Sequence, residues 1–173
     1  MFRLKILSLP ANIERLRAFG PEILTRLVAK MNMLMIQLQS KITGETIPAF
    51  FRNGAPNIVG SIRTIPATLE GNVIRGTVEG GGPRTTKRTL KSGALVDYAA
   101  VQEAGIYHTY EILPFNKKAL AFMLNGKLII TKLVTHPGLT QRPFMRHGLQ
   151  EMEEQIIAGL SEELAAIIGE RAA

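Results

Sequence analysis

Two apolar stripes at helical spacing, one toward each end of the chain, enclose a middle that reads as strands, and this pattern limits the fold most. Leu24, Leu27, Val28, Met31, Leu34, Met35, Leu38 and Ile42 recur every three or four residues. Pro21 suits the first turn of that helix, where a missing N–H is harmless, and Gly44 is expected to end it. Met145, Leu149, Met152, Ile156, Leu160, Leu164 and Ile167 form the second stripe, opened by Pro143. Gly148 and Gly159 weaken this helix by about 1 kcal/mol each relative to alanine, but leave room for close packing against a sheet or another helix. Each stripe needs a covering surface. The expected class is therefore α+β: an antiparallel sheet of about four to six strands, with a long N-terminal-half helix and a long C-terminal helix packed on it. A 46% hydrophobic fraction over 173 residues is ample for one such core.

The strands are read from alternation and turn chemistry. Residues 61–69 and 73–79 form two strands across the Glu70-Gly71-Asn72 turn, and Pro66 puts the first at an edge or a bulge. Residues 98–103 read as a short strand or helical turn stopped by Gly105, and 107–113 as a strand stopped by Pro114. Asn125-Gly126 joins 119–124 and 127–134 in a hairpin, because both turn positions of the favoured type need positive φ. The run from Lys127 to Leu133 is expected to be buried on both faces at its middle. Residues 44–60, broken by Pro48, Gly54 and Pro56, read as loop with one helical turn. The opening MFRLKILSLP is too short in apolar residues for a signal peptide and reads as a strand or arm, with Asn12 capping a short helix over 13–19. Residues 1–20 are thus an arm or short helix, and 21–173 a single α+β domain with a basic loop at 80–93.

Charge is unevenly placed. The net charge is +7, yet Glu151, Glu153, Glu154, Glu162, Glu163 and Glu170 stand against Arg171 alone in the last 24 residues, leaving 20 bases against 8 acids elsewhere. A basic body with an acidic tail helix suits an acidic partner or head-to-tail contact between copies. The basic loop concentrates this charge in Arg84, Lys87, Arg88 and Lys91, without an acid and with four hydroxyl side chains. It can meet phosphates or an acidic neighbour, but has no aromatic on which bases would stack. Met31, Met33 and Met35 read as core.

Catalytic patterns are lacking. The chain has no cysteine, which rules out disulfides, thiolate zinc sites and thiol nucleophiles. Asp97 is the single aspartate, and no GxSxG elbow accompanies it. His108, His136 and His147 match no metal spacing, and Gly80-Gly81-Gly82 lacks the GK[ST] of a phosphate loop. His136 reads as a turn histidine with a local hydrogen bond, and Glu103 as an interface or strand-end carboxylate. No enzyme activity, cofactor or metal is expected. No run of 18 apolar residues is present, so no transmembrane helix is expected.

Four segments carry a likeness to a known family. Asn57-Ile-Val-Gly-Ser-Ile62 opens the first main strand. Tyr98, Ala99, Glu103 and Gly105 follow an aromatic-Ala-x-x-x-Glu-x-Gly pattern. Lys118 to Phe122 reads KALAF, and His136, Pro137 and Gly138 lead to Arg142, Pro143 and Phe144. In this order the segments resemble the neck or tail-completion family of siphophage-type tailed bacteriophages, over roughly residues 60–164. The resemblance implies an α+β head–tail joining protein of the virion, made in the host cytoplasm. It implies a homo-oligomeric ring, expected to hold six copies, at the head-proximal end of the tail. Its partners would be a tail terminator or tail tube protein on one side and a head–tail connector or stopper on the other. DNA would pass through the ring, with non-specific contact to the genome and none to a membrane. Residues 1–20 and the basic loop fall outside the resemblance. Tyr98 and Phe122 are expected in the core or an interface, Gly105 and Gly138 at backbone angles other residues avoid, and Phe144 as the anchor of the last helix on the sheet. Two alternatives stand beside this reading: a basic nucleic-acid-binding protein, or a neighbouring ring of the neck.

Overall fold

The computed structural model describes residues 2–7, 21–71, 73–88, 95–114 and 117–172. The proposed helix over 13–19, Asn72 of the turn and Lys91 of the basic loop lie outside them. The chain runs β1 (Phe2–Leu7), α1 (Pro21–Lys41), a π-turn (Ile42–Thr46), α2 (Ile47–Phe50), α3 (Pro56–Val59), β2 (Arg63–Glu70), β3 (Val73–Gly80), β4 (Thr86–Arg88), β5 (Leu95–Asp97), α4 (Tyr98–Ala104), β6 (Tyr110–Ile112), β7 (Leu120–Leu124), β8 (Lys127–Thr131), β9 (Val134–His136) and α5 (Phe144–Ala172). The mixed class with antiparallel strands and two long helices is the one the stripes demanded. The strands are divided, however, into a three-stranded sheet of order β1-β3-β2 and three two-stranded ribbons, β4-β5, β6-β9 and β7-β8.

α1 lies on β2 and β3, and α5 lies on α1 rather than on the sheet. Met31, Met35, Leu38 and Ile42 are fully buried beside Ile74 and Val78 of the sheet and Met152 and Ile156 of α5, while Met33 is exposed. The helices run antiparallel. Gly148 of α5 sits against Ile42 and Thr46, and Gly159 against Leu34 and Lys30, so the two glycines serve helix–helix approach. Ion pairs fasten the flanks: Arg26 to Glu163 at 2.9 Å and Glu170 at 2.6 Å, and Lys41 to Glu151 at 3.3 Å.

Pro66 occupies both positions its chemistry allows. β2 is an edge strand, and its register against β3 shifts between Ile65 and Thr68. The bulge turns the Ala67 N–H toward α1, where Asn32 Oδ1 accepts it at 2.6 Å. Gln39 Oε1 accepts the Thr64 N–H at 2.9 Å and the Thr64 hydroxyl at 2.7 Å. Two polar side chains beside the apolar stripe of α1 thus satisfy backbone groups of this bulged edge strand.

Gly44 does not end the first helix. The chain continues through the π-turn, where the Ile47 N–H donates to Ile42 O, five residues back. Pro48 has no N–H, and its ring would press on the carbonyl four residues earlier, so the widened turn accommodates it. Burial of Ile42, Thr46 and Ile47 holds the segment on the core beyond the glycine.

The β7–β8 hairpin forms across Asn125 (φ +50°) and Gly126 (φ +77°), as the dipeptide requires. Its middle is not buried: Leu128 and Ile130 are about two-thirds exposed, and Ile129 is half-buried. The apolar run lacks the second layer that would cover it, because neither strand packs extensively on another element.

Candidate functional site

Asp97 organises the segment expected as a structureless basic loop. Its Oδ1 accepts the Thr85 hydroxyl at 2.7 Å and the Ala99 N–H at 3.1 Å, and its Oδ2 accepts the Gly82 N–H at 3.0 Å. The first bond pins the 82–85 turn, and the second caps α4, so the region 98–103 takes the helical of its two expected forms. Burial pushes the Asp97 carboxyl up, but the hydrogen bonds it accepts, among them those from Thr85 and Gly82, together with a nearby positive charge, outweigh burial, and the group is lowered to about 2. The part of the loop that follows is correspondingly a strand: Thr86, Lys87 and Arg88 pair with Asp97, Val96 and Leu95.

Pinning this turn creates a cleft of about 720 Å³ between the end of α2 and the β4–β5 ribbon. Arg52, Arg84, Lys87 and Arg142 line it, together with Phe50, Phe51, Ile58, Val96 and Tyr98, and no acid does among the described residues. Arg142 is positioned twice over. Its N–H donates to Gln102 O at 2.8 Å, its guanidinium donates to Gln102 Oε1 at 3.2 Å, and it lies 5.0 Å from the Phe51 ring centre. Four cations on an apolar floor without a carboxylate can seat an anionic group attached to an apolar or aromatic one.

Of the expected contact residues, the cleft gathers Arg84 and Lys87 and adds Tyr98. Arg88 is placed only through its backbone in β4. Tyr98 is nearly half exposed and is therefore not a core residue. Arg52, Arg142, Phe50 and Phe51 were missed. The basic-aromatic run Phe50-Phe51-Arg52 was the available signal, and Arg142 was named only as part of a turn.

The remaining motif residues build a clasp rather than a pocket. Glu103 accepts the N–H groups of Met145 and Arg146, at the start of α5. Ile106 and Leu139 exchange backbone bonds of 2.8 and 2.9 Å, which draws Gly105 (φ +74°) against Gln141 and Gly138 (φ +102°) against Ile106. His136 Nδ1 accepts the Gly138 N–H at 3.2 Å, and its ring stacks on Tyr110 at 4.8 Å, so it makes the local bond expected of it. Pro137 is exposed and Pro143 half-buried in the approach to α5. Phe144 is fully buried and meets Phe51 edge-on at 5.9 Å, which ties the last helix to the end of the first helical segment. Phe122 is half-buried on the β7–β8 hairpin, apart from both groups. Burial pushes the Glu103 carboxyl up, against the pull of the two N–H bonds it accepts.

Among the described residues, no three His, Cys, Asp or Glu side chains converge to hold a metal. Among them too, no helix is long and apolar enough to cross a membrane. No family model, curated protein or solved structure matches the chain.

Proposed function

We propose that this chain is an assembly protein of the tailed-phage neck, acting in tail completion and head–tail joining. It would form a homo-oligomeric ring, of about six copies, at the head-proximal end of the tail, through which DNA passes. Its role is binding: many modest contacts around a ring sum to a durable joint. The carrying observation is the β7–β8 hairpin, which holds Met123, Leu128 and Ile130 in solvent. An isolated two-stranded ribbon with bare apolar side chains is marginal in water and gains its stability from a partner.

The choice of the neck rests on the resemblance. It is supported by the meeting in space of segments 98–105 and 136–146, which the resemblance treats as separate motifs. The acid-free cleft would seat an acidic segment of an adjoining ring, either the tail terminator or tube on one side or the connector or stopper on the other. Immunogold labelling of virions tests the placement. Label at the head–tail junction is expected, and label confined to capsid faces or absent from particles would refute it.

One observation favours a second reading: the cleft joins four cations to Tyr98 and Phe50, a combination that also suits nucleic acid. Duplex binding that falls steeply between low and moderate salt would support it. No binding at low salt would eliminate it.

A further inference from the structure

The hairpin and the outer face of α5 are complementary surfaces carried by the same chain. In β7–β8, Ala121 lies opposite Ile130 and Met123 opposite Leu128, so these four side chains share one face of the ribbon. All four are exposed, Met123 at 64%, Leu128 at 61% and Ile130 at 67%. Lys117 and Lys118 lead into β7, Lys127 opens β8 on the opposite face of the ribbon, and Lys132 follows β8; all four are exposed, and residues 112–134 contain no acid. The hairpin joins an exposed apolar face to ends that carry only cationic charge.

The outer face of α5 carries the opposite charge. Met152, Ile156, Gly159 and Ile167 turn toward the core. On the far side Ile157, Ala158, Ala165 and Ile168, with Ser161 between them, form an exposed, largely apolar stripe at helical spacing. Glu151, Glu163 and Glu170 are engaged by Lys41 and Arg26. Glu153, Glu154 and Glu162 are exposed along the stripe and make no ion pair among the described residues.

We infer that the Ala121–Met123–Leu128–Ile130 face of one copy docks on the Ile157–Ile168 stripe of the next, with the hairpin lysines against Glu153, Glu154 and Glu162. This rests on the self-assembly part of the proposed function. The two surfaces belong to different elements and make no extensive contact with each other within the chain. The contact is therefore head-to-tail, the type that closes into a ring when the rotation allows.

Sedimentation velocity at low salt tests it with two charge-reversed forms of the full chain. One carries Lys117→Glu, Lys118→Glu, Lys127→Glu and Lys132→Glu; the other carries Glu153→Lys, Glu154→Lys and Glu162→Lys. Wild type is expected to assemble, each variant to need at least tenfold more protein to do so, and an equimolar mixture of the two to assemble again. Assembly of either variant at the wild-type concentration, or a mixture that stays monomeric, would overturn the pairing. A wild type that is monomeric throughout would overturn self-assembly itself. A second measurement does not depend on charge. The chain has no cysteine, so Ile130→Cys and Ile157→Cys chains, mixed and oxidised, should give the mixed disulfide dimer well above either homodimer. A mixed dimer at no more than its statistical share of random pairing would contradict the docking.

Discussion

The Glu103 carboxylate accepts the backbone N–H of Met145 at 2.9 Å, across 42 positions of sequence, and that of Arg146 at 3.1 Å. The first N–H groups of a helix have no partner within it, and a carboxylate there also meets the positive end of the helix dipole. Glu103 therefore caps α5 from another element. Glu103→Ala should lower stability by about 1–2 kcal/mol, measured by urea unfolding, and expose the 144–146 amides to hydrogen exchange. Unchanged exchange there would contradict the capping role.

Asp97 makes the acid response specific. Its folded carboxyl is lowered from an ordinary 3.8 to about 2, so its contribution to stability is present above the ordinary value and is lost as pH falls toward 2. Glu103 shifts the other way: burial disfavours its ionised form in the fold, and acidification relieves that cost. Unfolding midpoints measured across pH 4 to 2 should fall for the wild type and flatten for Asp97→Asn. Glu103→Ala should retain the fall.

Phe144 is fully buried where the last helix meets Phe51. Phe144→Ala should cost about 3–5 kcal/mol, and calorimetry would read it as a fall in Tm of about 2–4 °C per kcal/mol.

Gly138 combines a φ of +102° with a position where an added Cβ would fall 2.3 Å from Ile106 O. Gly138→Ala must strain the backbone and part the Ile106–Leu139 bridge, at a cost above ~1 kcal/mol. Nuclear magnetic resonance of the Ile106 and Leu139 amides should report the opening, while the core around Met31 and Met35 keeps its shifts.

Arg84 and Lys87 are exposed on the cleft. Replacing Arg84, Lys87, Arg88 and Lys91 with serine should leave the Tm within about 2 °C, since exposed substitutions move stability little. It should weaken binding to an acidic partner. A sharp fall in Tm would mean that this segment is packed.

The helices were legible because a stripe seven or eight residues long fixes period and face together, as Leu24 to Ile42 does. Asn125-Gly126 and Pro66 were legible because few conformations accept them. The path beyond Gly44 was not, because burial of Ile42, Thr46 and Ile47 overrides a local break. Nor was the exposure of Leu128 and Ile130, since an apolar run looks the same whether its cover comes from its own chain or from another. The cleft escaped for a related reason: Arg52 and Arg142 belong to segments 90 positions apart and meet only through Phe51 and the Gln102 bonds.

The most direct test of the joining role is complementation of an infected-cell extract that lacks this protein, read by electron microscopy and plaque count. Free heads and free tails are expected to accumulate, and adding the purified chain is expected to join them into infectious particles. Infectious particles formed without it would contradict the joining role.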